Sequence, residues 1–298
     1  MNDNVRHAYM IMAHHRFDIL EELLKDLDDA RNDIFLHIDV KAKDFPTEYF
    51  SGLLHRARLI LVERMDIHWG GYSQIECVTK LLKAATSYGY HLYYHFMVGV
   101  EFPLKTQNYI HDFFQKNAGY EFVGFDNYDT KFEERVRYYH IFNAYARNNN
   151  FFQKILNKIR ICGVAIHKVL KVDISKKNNI IFKKGNANWS ITHDLACYIV
   201  EHEKETEKIY RHSFCGDELF IHTLIYNSGF WMKVYDRNDE YHSSMRMMTW
   251  EDPYNQYHVD DLNKLIDSER LFARKIDGED AMELIALIKA NRDKEYTI

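Results

Sequence analysis

Two pairs of neighbouring charged residues in the second half of the chain could carry out chemistry. Asp217 and Glu218 are adjacent carboxylates at the start of an apolar helical stretch. A carboxylate can act as a general base on a hydroxyl within roughly 3 Å, although acidic residues also suit a helix start electrostatically. Arg274 and Lys275 are adjacent cations inside an apolar run. Because neighbours on a strand face opposite sides, one of them points inward and needs an anionic partner.

Two further segments combine glycine with aromatic or polar residues. Trp69 and Gly70 lie just ahead of a helix, where glycine lets a backbone approach a ligand. Lys184 and Gly185 open a polar turn that enters a short strand. Each segment also fits an ordinary structural role, a loop-to-helix turn and a hairpin respectively. Neither assigns a function on its own.

The 17 histidines invite a search for a metal site. No H-E-x-x-H motif occurs, and the four cysteines form no C-x-x-C, so neither a zincin nor a zinc ribbon is indicated. His212, Asp217, Glu218 and His222 lie close in sequence and leave a metal-dependent hydrolase as one alternative. We expect no metal and no other cofactor.

Composition and charge exclude several classes of protein. The 298 residues contain only 12 Gly and 3 Pro, and 46% are hydrophobic, which excludes low-complexity and disordered chains. A net charge of −5 argues against nucleic acid as a partner. The sequence has no 18-residue apolar run and no signal segment before its first strand. We therefore expect a cytoplasmic protein.

Apolar runs alternate with amphipathic segments along the first half. Strands are predicted at Ala8–Ala13, Ile34–Asp39, Arg58–Val62, His91–Gly99 and Phe122–Phe125. Helices are predicted to open at Asp18 and, through a Ser73–Glu76 capping box, at Ser73. This alternation predicts an α/β fold with a mixed, mostly parallel sheet flanked by helices. Ligands bind such sheets beyond the carboxyl ends of the strands, which singles out His14, Asp39 and Glu101.

Residues 151–184 are strongly basic. They carry nine Lys or Arg against a single Asp, a local charge of +8. Apolar residues recur at helical spacing in the first part of this segment, which predicts a basic amphipathic helix. Such a helix could pack on the core with a solvated basic face. It could instead contact an anionic membrane surface or a phosphate-bearing acceptor.

Eight ordered blocks of the sequence together resemble a known family. They are Ala8–His14, Phe35–Asp39, Trp69–Ser73, Gly99–Thr106, Lys184–Asn186, Asp217–Thr223, Arg246 to Trp250, and Phe272–Lys275. This pattern resembles glycosyltransferase family 14, the core-2/I-branching β-1,6-N-acetylglucosaminyltransferases and peptide O-xylosyltransferases. The resemblance runs from about residue 8 to residue 277, nearly the whole chain.

The resemblance implies a single GT-A domain over residues 1–298. Residues 1–130 would bind the nucleotide sugar, and residues 131–298 would bind the acceptor and carry out catalysis. The implied reaction is inverting, metal-independent transfer from a UDP-sugar to a hydroxyl of a glycan acceptor. The only Asp-x-Asp, Asp26–Asp28, lies on the first helix, away from any strand end. N-acetylglucosamine is the first choice of sugar; xylose, galactose, glucose and a catalytically inactive relative that binds nucleotide or carbohydrate are the alternatives.

The resemblance also implies roles for individual residues. Glu218 matches the catalytic base, with Asp217 as an orienting residue, although these two roles could be exchanged. Arg274 and Lys275 would neutralise the leaving UDP, which a cation must do in the absence of a metal. The UDP pocket would also contain Ala13, His14 and Asp39. Further donor or acceptor contacts are expected from Trp69, Gly70, Glu101, Lys184, Gly185, Asp217 and Trp250, although relatives often carry Asp at the position of Glu101.

The resemblance further suggests where the enzyme works. The sequence has neither the membrane anchor nor the cysteine set of animal members, which is typical of a minimal, bacterial enzyme of surface polysaccharide biosynthesis. The acceptor would then be a glycan or lipid-linked glycan. Residues 151–184 would give peripheral contact with the inner membrane face.

Overall fold

The computed structural model describes residues 5–129, 131–147, 150–178 and 180–292. These parts of the chain contain the strands β1 (His7–Ala13), β2 (Asn32–Ile38), β3 (Arg58–Val62), β4 (Tyr93–Val98), β5 (Glu101–Pro103), β6 (Trp189–Thr192), β7 (Arg246–Met248) and β8 (Phe272–Arg274).

The same parts contain the α-helices α1 (Phe17–Asp26), α2 (Thr47–Ser51), α3 (Ser73–Tyr88), α4 (Gln107–Lys116), α5 (Glu134–Arg137), α6 (Phe151–Val169), α7 (His193–Glu201), α8 (Glu203–Tyr210), α9 (Phe220–Tyr226), α10 (Glu240–Ser244), α11 (Leu262–Ile266) and α12 (Ala281–Arg292).

The main sheet has five strands in the order β3-β2-β1-β4-β6. The first four are parallel, and β6 runs antiparallel to β4. Since β1 and β2 pair with Ala13 opposite Ile38, the residues that follow both strands meet at one edge of the sheet. The predicted α/β fold with a mixed, mostly parallel sheet is confirmed.

Successive residues of β1 enter different cores because side chains alternate across a strand. Tyr9 and Ile11 pack in one cluster with α1 and α12. Ala8 and Met10 pack in the other with α3 and α7. Helices therefore cover both faces, which explains why the central strands are apolar on both sides.

A second sheet of three strands, in the order β5-β8-β7, lies next to the carboxyl end of β4. In it β5 runs antiparallel to β8, so that Glu101 stands opposite Arg274. Strands from both halves of the chain pair in both sheets. The division near residue 130, which itself lies outside the described residues, remains a prediction, as does the single domain.

Three local predictions were wrong. The residue that precedes α1 is Arg16 in a left-handed conformation, and Asp18 lies in the first turn, where it accepts a hydrogen bond from Arg16. Ser73 does not cap α3; its hydroxyl instead accepts a hydrogen bond from the His68 N–H at 2.8 Å. Phe122–Phe125 is buried but is not a strand, because it leaves the sheet after a single bridge to Ser190.

The predicted basic helix is confirmed as α6. The basic segment 151–184 continues beyond it through residues 177–179, whose side chains lie outside what the structure describes. Within the described residues no helix has the length and apolar character needed to cross a membrane. Residues 1–4, expected to lead directly into the first strand, also lie outside the described residues.

Candidate active site

A cavity of about 1140 Å³ opens beyond the carboxyl ends of β1, β2 and β4. It is lined by all the residues expected at the catalytic centre and the UDP pocket: Ala13, His14, Asp39, Glu218, Arg274 and Lys275. Other expected donor or acceptor residues in its wall are Trp69, Lys184, Gly185 and Trp250. Three expected residues do not line it, namely Gly70, Glu101 and Asp217.

The pairing of β1 with β2 places one carboxylate at the floor of this cavity. The Asp39 N–H donates to the carbonyl of Ala13 at 3.0 Å, which continues the pairing one residue past β2. The Asp39 carboxylate accepts from the Lys41 N–H at 2.9 Å and forms an ion pair with its Nζ at 3.2 Å. It is almost completely buried, and so the surrounding backbone fixes its direction.

His14 stands beside this carboxylate. Burial, followed by the charge of neighbouring His15, lowers the pKa of His14. The imidazole is therefore neutral at pH 7 and offers one donor and one acceptor to a ligand.

Glu218 ends a short 3-10 turn, Gly216–Glu218, just ahead of α9. Its carbonyl accepts a hydrogen bond from the Gly185 N–H at 3.1 Å. Position 185 has room only for glycine, because a Cβ there would lie 1.9 Å from the carbonyl oxygen of Gly124. The Glu218 side chain is half-buried, and Arg135 donates to its Oε2 at 2.5 Å. Its Oε1 accepts no hydrogen bond from the part of the chain that the structure describes.

Asp217 points away from the main cavity into a pocket of about 50 Å³ that Arg274 also lines. Gln74 donates to its Oδ2 at 3.2 Å, and its Oδ1 is buried without a hydrogen-bond partner among the described residues. Burial, and then the charge of Glu218, raises the pKa of Asp217 to about 6. Since Glu218 faces the cavity and Asp217 lies beneath it, the geometry favours Glu218 as the base.

Arg274 is held by a chain of polar contacts that leads into the interior. Its Nη1 donates to the side-chain oxygen of Asn188 at 2.6 Å. The Asn188 amide donates in turn to Glu101 Oε2 at 2.6 Å. Glu101 forms a fully buried ion pair with Arg246 at 2.8 Å. The expectation that Glu101 contacts a substrate was therefore wrong for direct contact, since the buried Arg246 draws it inward.

Lys275 points into the cavity beside Arg274, where Asp277 forms an ion pair with its Nζ at 3.1 Å. The same carboxylate oxygen of Asp277 lies 3.2 Å from His15. Two adjacent cations thus share one cavity wall, an arrangement that suits a diphosphate.

Further charged side chains and aromatic rings line the cavity. Lys184 forms an ion pair with Asp126 at 2.9 Å. Burial, followed by the charge of Asp126, raises the pKa of Glu240 to about 7. The Trp250 indole N–H donates to the Tyr241 hydroxyl at 2.7 Å, and the indole ring remains largely exposed. Exposed aromatic rings beside polar groups suit the apolar faces and hydroxyls of a sugar.

Trp69 also lines the cavity, with the guanidinium of Arg147 stacked 3.8 Å from its ring centre. Gly70 shapes this wall without lining it. Its φ of +73° is one that glycine adopts readily, and a Cβ there would lie 2.8 Å from the Phe214 ring.

The metal-dependent hydrolase alternative has no geometric support. Among the described residues, no three His, Cys, Asp or Glu side chains gather where they could hold a metal ion. His222 is buried whereas His212 is exposed. Asp26 and Asp28 of the Asp-x-Asp sequence have structural partners, an ion pair with Arg292 and the backbone N–H groups of residues 55–57.

Three residues of this site were not predicted from the sequence: Arg135, Asn188 and Glu240. Arg135 lies in no motif. Asn188 belongs to the polar segment that begins at Lys184, and its position directly before a strand was the one signal that could have indicated it.

The sequence matches the family model described as Core-2/I-Branching enzyme over residues 7–267. A comparison with curated protein sequences gave no significant match.

Three solved structures show weak similarity. Mouse xyloside xylosyltransferase 1 (apo form) has a TM-score of 0.40 at 11% identity, covering 90% of this chain and 97% of that one. GlyE, a glycosyltransferase of Streptococcus pneumoniae TIGR4 (apo form), has a TM-score of 0.35 at 10% identity, covering 98% and 64%. S. aureus TarS has a TM-score of 0.29 at 11% identity, covering 39% and 21%, so that the match spans about a fifth of its length. None of these similarities assigns a substrate to the chain.

The family match covers most of the chain and includes the predicted strands, the Glu218 turn and the basic segment. It agrees with the GT-A type of α/β fold that the sequence resemblance implies. The chain therefore belongs to the Core-2/I-Branching enzyme family of glycosyltransferases.

Proposed function

We propose that the protein transfers a sugar from a UDP-sugar to a hydroxyl of a glycan acceptor, in one step and with inversion. One observation carries this proposal: Glu218 and the cation pair Arg274–Lys275 line the same cavity from different elements. A base and a leaving-group anchor that face one space are the two groups that a single displacement requires.

In this reaction Glu218 accepts the proton of the acceptor hydroxyl through its unpaired Oε1. The hydroxyl oxygen forms the new bond to the anomeric carbon as the bond from that carbon to the phosphate oxygen breaks. The electron pair of the broken bond leaves with UDP, whose negative charge Arg274 and Lys275 neutralise. Arg135 holds Oε2 and so keeps Oε1 directed toward the acceptor.

The two cations support the proposal that the reaction proceeds without a metal, since they occupy the side of the cavity where the diphosphate would lie. His14, which directly follows β1, and Asp39, which directly follows β2, are proposed to bind the uridine. The charged and aromatic side around Lys184, Glu240 and Trp250 is proposed to bind the acceptor.

N-acetylglucosamine remains the first choice of donor sugar, supported by the family to which the chain belongs. UDP-xylose, UDP-galactose and UDP-glucose are the alternatives, because a few pocket contacts decide specificity within one fold. A catalytically inactive relative is disfavoured by the joint presence of Glu218, Arg274 and Lys275.

We further propose that the acceptor is a lipid-linked precursor of a bacterial surface polysaccharide, and that the protein works at the inner membrane face. The basic charge of residues 151–184 supports this location.

The proposal is tested by incubating the purified protein with each UDP-sugar and a panel of glycan acceptors while UDP release and glycan mass are measured. The expected result is acceptor-dependent UDP release with one sugar, and a product of inverted anomeric configuration by NMR. A product of retained configuration would contradict the single displacement. Absence of transfer with every donor, despite UDP binding, would favour the inactive relative.

A further inference from the structure

The helix α6 (Phe151–Val169) presents its apolar side to solvent. The exposed apolar side chains on this side are Phe151, Phe152, Ile155, Ile159, Ile166 and Val169, followed by Leu170. None of the residues of α6 is buried. A surface helix normally turns its apolar stripe toward the core, and α6 does the opposite.

The side of α6 that faces the protein is the more polar one. Arg160 donates to His140 at 3.1 Å, and its guanidinium lies 4.6 Å from the centre of the Phe214 ring. Asn157 donates to the carbonyl of Ala146 at 3.4 Å. These contacts fix which way the helix faces, and they leave the apolar stripe uncovered by the described residues.

The exposed stripe is continuous along the helix. Positions 151, 155, 159, 162, 166 and 169 follow one another at intervals of three or four, so their side chains share one face over the full 19 residues. Phe151 and Val169, at its two ends, are about four-fifths exposed. A contiguous apolar surface of this kind marks an interaction site.

The charges around the stripe identify what covers it. Lys154 and Lys158 are exposed and lie along one edge of the stripe, by their helical positions. Residues 151–172 contain no Asp or Glu. An apolar face bordered by cations is the pattern of a helix that lies in the headgroup region of an anionic bilayer.

We propose that α6 docks the protein on an anionic lipid bilayer, with its axis parallel to the membrane plane. The apolar stripe inserts among the acyl chains, and Lys154 and Lys158 contact lipid phosphates. A second copy of the chain fits this face less well, because pairing two such helices would bring their cationic edges together without acidic partners.

The docked helix lies beside the active-site cavity. The Phe214 ring, on which Arg160 stacks, packs edge-on against Trp69 with 5.6 Å between the ring centres, and Trp69 lines the cavity. These contacts link the protein-facing side of α6 to the cavity wall, and the proposed bilayer lies on the opposite side of the helix. The docking itself does not depend on the donor.

The test is sedimentation of the full chain with two kinds of vesicle, one of phosphatidylcholine alone and one of phosphatidylcholine containing 30% phosphatidylglycerol. The UDP affinity of each protein is measured in parallel by calorimetry. The wild type is expected to bind the anionic vesicles, and binding is expected to weaken at least roughly tenfold in the double variant Ile159→Ser/Ile166→Ser. The variant Lys154→Gln/Lys158→Gln should also weaken it. Matched controls at exposed positions elsewhere are Met232→Ser and Lys116→Gln/Lys204→Gln, which should bind like the wild type.

UDP affinity should be unchanged in all these variants, which separates loss of docking from misfolding and from failure of the proposed donor. As a second measurement, Phe151→Trp should show a blue-shifted emission on addition of anionic vesicles. The proposal is overturned if the wild type does not bind anionic vesicles, or if both α6 variants bind them as strongly as the wild type does. It is also overturned if sedimentation velocity shows a dimer that Ile159→Ser/Ile166→Ser dissociates, because the stripe would then be a contact between two copies.

Discussion

Arg135 donates a hydrogen bond of 2.5 Å to Glu218, across 83 residues of sequence. The pair ties one oxygen of the proposed base to helix α5 (Glu134–Arg137), while the other oxygen remains unpaired among the described residues. The same residue, Glu218, has its carbonyl held by the Gly185 N–H. The backbone carbonyl and the side-chain carboxylate of Glu218 are therefore both held in place before any substrate binds, as a positioned base requires.

Replacement of Glu218 tests its role as the base. Glu218→Gln is expected to lower kcat by about 100-fold or more, because the amide cannot accept the hydroxyl proton. UDP affinity measured by calorimetry should stay close to that of the wild type. The control is Glu205→Gln, on the surface of α8 (Glu203–Tyr210). Near-normal turnover of Glu218→Gln would assign the base elsewhere, first to Asp217.

Arg135 is expected to position Glu218 without contacting the substrate. Arg135→Ala should lower kcat by about tenfold with little change in the KM for donor, since only the orientation of the base is lost. Arg135→Lys should recover part of this loss, because it keeps a donor near Oε2. Steady-state kinetics of both variants checks the prediction. Equal kcat in the wild type and in Arg135→Ala would show that the ion pair has no part in the reaction.

Asn188 is expected to position Arg274 for the diphosphate. Asn188→Ala should weaken UDP binding about tenfold, since it removes a hydrogen bond to a charged group and frees the guanidinium. The double variant Asn188→Ala/Arg274→Ala should bind UDP no more weakly than Arg274→Ala alone. UDP calorimetry of the wild type, the two single variants and the double variant gives this double-mutant cycle, with Asn263→Ala as the exposed control. Additive losses would mean that Asn188 acts independently of Arg274.

The raised pKa of Asp217 predicts that the stability of the folded protein depends on pH. Its pKa of about 6 in the folded protein lies above the ordinary value of 3.8. Between these two pH values the carboxyl is therefore protonated in the folded state and ionised in the unfolded state. The stabilisation from this group is present below pH 3.8 and is lost as pH rises through 6. Asp217→Asn should therefore be more stable than the wild type at pH 7.5, by about 2 kcal/mol, and nearly equal at pH 4.

Thermal unfolding of both proteins at these two pH values checks this prediction. The variant should retain transfer activity within about tenfold of the wild type, as expected of a residue that is not the base. Lower stability of Asp217→Asn at pH 7.5 would show that the carboxylate is ionised and paired in the folded protein.

The sequence predicts well that Ala13, His14 and Asp39 line one cavity. Ala13, His14 and Asp39 come at the ends of clear apolar runs, and parallel strands bring such ends together. The contacts of Glu101 could not be predicted this way, because they depend on the pairing of β5 with β8 and on Arg246, which is distant in sequence. Arg135 could not be predicted either, because it contacts Glu218 across 83 residues of sequence.

The helix α6 shows a different limit of sequence reasoning. Periodicity correctly predicts the helix and its basic character. It cannot say which side packs on the protein, because that depends on single contacts of Arg160 and Asn157 with an irregular segment. The interpretation that the apolar side packs on the core was therefore wrong.

We propose that Asp39, Arg274 and Lys275 form a UDP site that needs no metal. The most direct test is calorimetric titration with UDP in EDTA and again with Mn²⁺, using the wild type, Arg274→Ala and the exposed control Arg56→Ala. We expect wild-type binding in EDTA that Mn²⁺ does not strengthen, and a loss of about tenfold or more in Arg274→Ala alone. Binding that appears only with Mn²⁺, or no binding in either buffer, would contradict this account.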